Sequence, residues 1–368
     1  MIQYDTIRLL AVIAIVLLHV AANGVNNLPL GSMNWWIANV IDSACRAGVP
    51  LFLMLSGALL LHKNHKTNEQ SVSEFYRRRW QRLAAPVLLW TLFYLAWTQL
   101  KAWWKNQSLP LEDTLQSALT GEPYFHLWYL YMLIGLYAVL PWFRRYWQRL
   151  SDKQQLWLLL GSIILQQSLM QFRFFQQELV FVPDWLSHAD QLPWSLWFIG
   201  YLPYVMLGAV LAKQIQQPAR HFWLWLGLLV CSIATIAIGY AVQHDAFDLQ
   251  QTLDSNTYPF AYGYHRLNWP VLFCGICYWQ VLRHWTIQPL PAFARSLVTY
   301  SFGIYLVHPV WLDVSSMVLQ HQALQQVPYV MLLIIQSIFV VVASVMSCKV
   351  WSGAISKIVK TEKGVGAN

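Results

Sequence analysis

The chain has 368 residues, 57% of them hydrophobic and only 11% charged, with a formal net charge of +8 at pH 7. A soluble domain carries roughly 25% charged residues, so the composition excludes a water-soluble globular protein: lipid must cover this much apolar surface. On such a chain the positive charge bears on membrane topology, and no nucleic-acid partner is expected.

A membrane span needs about 20 mostly apolar residues. Read with that window, the sequence predicts runs near 5–24, 36–61, 82–100, 125–143, 155–172, 194–212, 221–242, 266–285, 296–318 and 328–351. The expectation is an all-α polytopic membrane bundle of about ten transmembrane helices. Residues 1–355 form one transmembrane domain and 356–368 a cytoplasmic tail. Lys and Arg gather on the cytoplasmic side of membrane proteins. Starting the chain inside and alternating puts Arg77, Arg78, Arg79, Arg82, Arg144, Arg145 and Arg149 inside, and Glu112, Asp113, Glu178, Asp184, Asp245 and Asp248 outside. That partition predicts an even number of spans with both termini cytoplasmic. Asp5 and Arg8 precede the first run and no small-residue cleavage pattern follows it, so the run reads as a retained span.

The first span reads Asp5-Thr-Ile-Arg8, ten apolar residues, then His19. Eleven residues are three helical turns, so Arg8 and His19 share nearly one face, separated by roughly 16 Å along the axis. Arg8 suits a phosphate and His19 suits proton transfer. The alternative is a snorkelling Arg and a His satisfied by a neighbouring helix. In the second span Asp42 and Arg46 stand i, i+4 and can pair on one face. A carboxylate there can also orient an imidazole. Ser56-Gly57, further along, lets another backbone approach closely.

The third span opens Arg77-Arg-Arg79-Trp-Gln-Arg82. Arg79 and Arg82 stand i, i+3, and two guanidiniums on one face make either a phosphate clamp or a membrane anchor. The fourth begins His126-Leu-Trp128-Tyr129, where an interfacial aromatic belt accounts for the rings and His126 is able to meet a sugar hydroxyl. In the ninth, Pro309 follows His308 and frees backbone carbonyls, one of which His308 can satisfy. Cys45, Cys231, Cys274, Cys277 and Cys348 all fall in apolar stretches. Cys274-x-x-Cys277 has no second ligand pair nearby, so it reads as packing and no metal is expected.

Taken in order, Arg8-x10-His19, Val49-Pro-Leu-Phe-Leu-Met-Leu-Ser56-Gly57, Arg79-x-x-Arg82, His126-x-Trp-Tyr-Leu and Ser301-Phe-Gly-Ile-Tyr-Leu-Val-His308-Pro309 resemble the motif series of the acyltransferase-3 membrane family. The second-span wording is most similar to the branch containing the enterobacterial common antigen O-acetyltransferase. Two departures stand out: Leu9 follows Arg8 where the family often has Gly, and the hydrolase domain attached to some larger relatives is absent. The resemblance implies a bacterial inner-membrane O-acetyltransferase. Its donor co-substrate is acetyl-CoA, and its acceptor is a sugar hydroxyl of a cell-envelope or lipid-linked glycan. It implies Arg8, Arg79 and Arg82 at the CoA phosphates, and His19 as general base or transient acyl carrier with Asp42 beside it. Arg46, His126, Trp128 and His308 fall to substrate binding. The competing expectation is a transporter or flippase of a glycan or lipid intermediate, which predicts internal repeats and paired broken helices. The sequence leaves the oligomeric state open.

Overall fold

The computed structural model describes residues 2–61, 72–79, 83–176, 193–213, 221–250, 268–283, 290–319 and 326–365. Every regular element among them is helical. In chain order they are α1 (Ile2–Asn27), α2 (Met33–Cys45), α3 (Gly48–Leu60), α4 (Val72–Arg79), α5 (Ala85–Trp104), α6 (Leu111–Leu119), α7 (Trp128–Arg149) and α8 (Asp152–Gln176). A 3-10 turn (Trp194–Leu196) leads into α9 (Phe198–Ala212). Then come α10 (His221–Gln250), α11 (Trp269–Leu282), α12 (Ala292–Thr299), α13 (Ser301–Leu319) and α14 (Tyr329–Val365). In lipid a helix satisfies its own backbone polar groups, which is why the regular elements described in a chain this apolar are helices.

Six helical segments among the described residues are long and apolar enough to cross a membrane: Tyr4–Asn27, Met33–Leu60, Trp194–Ala212, Phe222–Ala241, Ser301–Leu319 and Tyr329–Ser352. The expected ten is therefore corrected to six. The runs expected near 82–100, 125–143 and 155–172 do form helices, of 20, 22 and 25 residues. They are too polar to count. Trp and Tyr swell an apolar tally, yet each carries a polar edge, and α5 adds Gln99 and Lys101 while α8 adds Gln154, Gln155, Gln166 and Gln167. The run near 266–285 folds as α11, only 14 residues long, short of a full crossing. The cytoplasmic placement of both termini rested on the ten-span alternation and loses that support.

The second crossing segment is interrupted. Helix α2 ends at Cys45 with Arg46 as its C-cap, and α3 begins at Gly48. The cause is Pro50, which has no N–H to give the carbonyl four residues back, that of Arg46, and whose ring clashes with it. The chain relaxes into a turn, with the Arg46 N–H bonded to the Ser43 carbonyl at 3.3 Å and the Leu51 N–H to that of Ala47 at 2.9 Å.

The chain divides into two compact units, Met1–Phe52 with Gln217–Asn368, and Leu53–Gln216. In the first, α1 packs on α2, α13 and α14, and α10 on α11 and α2. Its core joins Val12, Val16 and Val20 of α1 to Ile304 and Leu312 of α13 and Val340 of α14. In the second, α3 crosses α9 at backbone contact. A Cβ on Gly57 would overlap the carbonyl of Val205, and one on Gly208 the carbonyl of Met54. The close approach expected at Ser56-Gly57 is thus present, with Val205 as its partner.

Candidate functional site

The first unit carries Arg8, His19, Asp42, Arg46 and His308. Helix α1 presents His19, half-buried, and α13 presents His308, which has no exposed surface. The two imidazoles stack, with ring centroids 5.2 Å apart and planes 22° from parallel. His308 Nδ1 lies 3.0 Å from the carbonyl oxygen of Ile304. A carbonyl only accepts, so Nδ1 carries the hydrogen and Nε2 holds the lone pair. Both Ile304 and Tyr305 offer His308 a backbone hydrogen-bond partner. Pro309, lacking an N–H, withdraws the helical donor from the next carbonyl along, that of Tyr305.

Arg8 stands three turns below His19 on α1, and its Nη1 lies 3.4 Å from Asp5 Oδ1, with both side chains about one-third exposed. A partly exposed pair of that length holds weakly, so the guanidinium remains able to turn toward another anion.

Asp42 is fully buried. Arg46 Nε donates to its Oδ2 at 2.6 Å and Nη2 lies 2.5 Å from the same oxygen. The i, i+4 pairing expected from the sequence is formed, at the residue where the second crossing segment breaks. The other carboxylate oxygen, Oδ1, is buried and has no hydrogen-bond partner among the described residues. Two further polar residues line this stretch of α2 and were not singled out from the sequence. Asn39 and Ser43 are both buried. Ser43 Oγ donates to Asn39 Oδ1 at 3.1 Å, and Asn39 Nδ2 donates to the Ile236 carbonyl of α10 at 3.2 Å. The signal was available: Asn39, Asp42, Ser43 and Arg46 follow the i, i+3, i+4, i+7 pattern of one helix face.

The second unit carries Arg79, His126 and Trp128. The Arg79 guanidinium sits over two rings, its central carbon 4.9 Å from the Tyr137 centroid and 5.5 Å from that of Phe75. Cation–π contacts of this kind hold a guanidinium while leaving its N–H edge available. Arg82, its expected partner in a clamp, lies outside the described residues.

His126 is 1% exposed, in the turn before α7. Tyr94, Tyr124 and Phe125 surround it at centroid distances of 4.9, 5.9 and 5.5 Å. Lys101 Nζ donates to Tyr124 Oη at 2.6 Å. Trp128 is 6% exposed and packs on Tyr201 at 5.4 Å. A belt residue would show its ring to the lipid interface, and this one faces protein. Cys274 packs with Ala47 and Cys231. No cluster of three metal-ligating side chains occurs among the described residues.

A family model described as "Acyltransferase domain" matches residues 1–348. Among curated proteins, the chain is similar to the probable poly-beta-1,6-N-acetyl-D-glucosamine export proteins of Staphylococcus aureus strains MRSA252 and N315. Each is 25% identical over 299 residues, covering 78% of this chain and 74% of the relative. No solved structure matches.

Proposed function

The chain belongs to the acyltransferase-3 (acyltransferase domain) family, and from that premise we propose that it moves an acetyl group from cytoplasmic acetyl-CoA to a sugar hydroxyl of a cell-envelope or lipid-linked glycan. The protein is a multi-pass membrane protein, consistent with the bacterial inner membrane. The observation that carries the reading is the stacked His19–His308 pair, three turns along α1 from Arg8.

The chemistry follows from that spacing. Arg8 takes a CoA phosphate, and an extended pantetheine arm brings the thioester up the same helix face to His19, roughly 16 Å away. His19 removes the proton of the sugar hydroxyl as the oxygen attacks the thioester carbonyl. The C–S bond breaks, the acetyl ester forms, and the thiolate leaving group takes the proton back from His19. Alternatively His19 itself accepts the acetyl first and passes it on. The thioester is already activated, so the protein's share is alignment and proton handling.

His308, its ring orientation fixed by the Ile304 carbonyl, holds the His19 ring in plane and meets the acceptor, as does Arg46. Asp42, with one buried oxygen unclaimed, is assigned to the catalytic proton path. In the second unit Arg79 and Arg82 are assigned to the donor and His126 and Trp128 to the acceptor. The wording of the second span favours a glycan acceptor of the enterobacterial common antigen kind.

A second reading has observations of its own. The relatives carry the name of an export protein, and the interruption between α2 and α3 is the kind of broken helix found at transport sites. Acyl-CoA dependence separates the two. Purified protein in lipid nanodiscs that consumes acetyl-CoA and labels a glycan extract is an acyltransferase. Protein that moves glycan across a vesicle membrane with no use of acyl-CoA is a transporter.

A further inference from the structure

Buried polar atoms in a membrane protein need partners, because neither lipid nor bulk water supplies them. Trp279 of α11 has no exposed surface, yet its indole Nε1–H, a donor and nothing else, meets no acceptor among the described residues. Its ring packs against Tyr4 of α1 with centroids 6.0 Å apart. Tyr4 lies one turn from Arg8 on the same face of α1.

The two helices run antiparallel. Trp279 meets the start of α1, whereas Cys274, five residues earlier, packs with Ala47, beside the point where Gly48 abuts Ala11 and Ile15. Arg283, one turn beyond Trp279 on the same face of α11, therefore lies on the opposite side of the Tyr4–Trp279 contact from Arg8. It is only 7% exposed. A topogenic arginine snorkels to water, and this one is kept inside the protein.

We infer that Arg8, Trp279 and Arg283 form a ladder of donors for the phosphate groups of the CoA moiety. The inference rests on the acyltransferase reading and extends the first unit's share of the donor site from Arg8 on α1 to a second helix, α11. Arg8 and Arg283 are two helical turns apart in level, roughly 12 Å along the axis, a span suited to a diphosphate and a separate phosphate rather than to one small anion. Arg8, nearest His19, takes the diphosphate, and the Trp279 N–H donates beside it. Arg283, farthest from His19, takes the 3′-phosphate on the ribose. The carbonyl end of α11 opposes an anion with about half an elementary charge, and the full charges of Arg8 and Arg283 outweigh it. The same chemistry would accept the headgroup of an anionic phospholipid, so the test separates the two sources.

Equilibrium binding of CoA and of 3′-dephospho-CoA is measured on the full chain in nanodiscs of zwitterionic lipid, for wild type, Trp279→Phe, Arg283→Gln and Arg283→Lys. Acetyl-CoA turnover and retained phospholipid are followed in the same preparations. Arg283→Gln is expected to weaken CoA binding about tenfold while leaving 3′-dephospho-CoA unaffected, and Arg283→Lys to recover most of the loss. Trp279→Phe, which keeps the ring and removes the N–H, weakens both ligands by about fivefold. Variants that bind both ligands like a CoA-binding, active wild type overturn the ladder and leave the acyltransferase reading standing. A wild type that neither binds nor consumes acyl-CoA overturns both. Variants that shed anionic phospholipid while keeping CoA affinity make this a headgroup site, and the donor assignment falls.

Discussion

The His308 ring lies 5.2 Å from that of His19 and 22° from parallel, with its own Nδ1–H committed to the Ile304 carbonyl. The commitment fixes the His308 ring in one orientation, so the face it offers His19 is preset. His308→Ala removes that support and is expected to lower kcat by roughly 100-fold, the cost of a small misplacement of a catalytic group, while the KM for acetyl-CoA stays within about twofold. His308→Phe, which keeps a flat ring, retains more of the rate than the alanine variant. Steady-state kinetics on both variants checks this; equal rates for the two would remove stacking from the account.

Asp42 and Arg46 are coupled in a way that stability measurements read directly. Arg46→Ala leaves a fully buried carboxylate without its cation and is expected to cost about 3 kcal/mol. Adding Asp42→Asn removes the stranded charge and recovers most of that loss. Unfolding in nanodiscs gives the comparison, and a double variant no more stable than Arg46→Ala would show that the pair carries little coupling.

Gly57→Ala places a methyl against the Val205 carbonyl, where backbone rather than a flexible side chain must yield. A loss of about 2–3 kcal/mol follows from forced separation of α3 and α9. Gly161 of α8 is exposed, and a Cβ there would meet nothing within 4 Å, so Gly161→Ala serves as the control and is neutral or stabilising by up to about 1 kcal/mol. Thermal unfolding of the two variants side by side is the check, and equal behaviour would contradict the close crossing.

Arg79→Ala is expected to raise the apparent KM for acetyl-CoA by about tenfold with little change in kcat, because loss of a phosphate contact removes binding made equally in ground and transition states. Should donor affinity stay unchanged, the packing of Arg79 on Tyr137 and Phe75 is its whole role.

Composition made the helical membrane class legible, since no other backbone arrangement suits so apolar a chain without closing a barrel. The number of crossings was not legible. In α5 and α7 the apolar tally is filled by Trp and Tyr, whose polar edges tolerate water, and sequence periodicity does not separate a lipid-facing helix from one buried by its neighbours. The Asp42–Arg46 pair was readable because i, i+4 contacts are local. The His19–His308 stack was not, because α1 and α13 are far apart in sequence and only the tertiary packing of the first unit joins them. The interruption before α3 was carried in plain view by Pro50, four residues after Arg46. The burial of Arg283 was not legible either, since nothing in its local sequence distinguishes a buried guanidinium from an exposed one.

The central claim is that His19 performs acyl transfer. The most direct measurement incubates purified wild type and His19→Ala in lipid nanodiscs with radiolabelled acetyl-CoA and an extract of envelope lipid-linked glycans, following thioester loss, label in the glycan and CoA binding. Transfer by wild type, abolished in His19→Ala while CoA still binds, is the predicted result. Undiminished transfer by His19→Ala, or a folded wild type that neither binds CoA nor consumes the thioester, would contradict it.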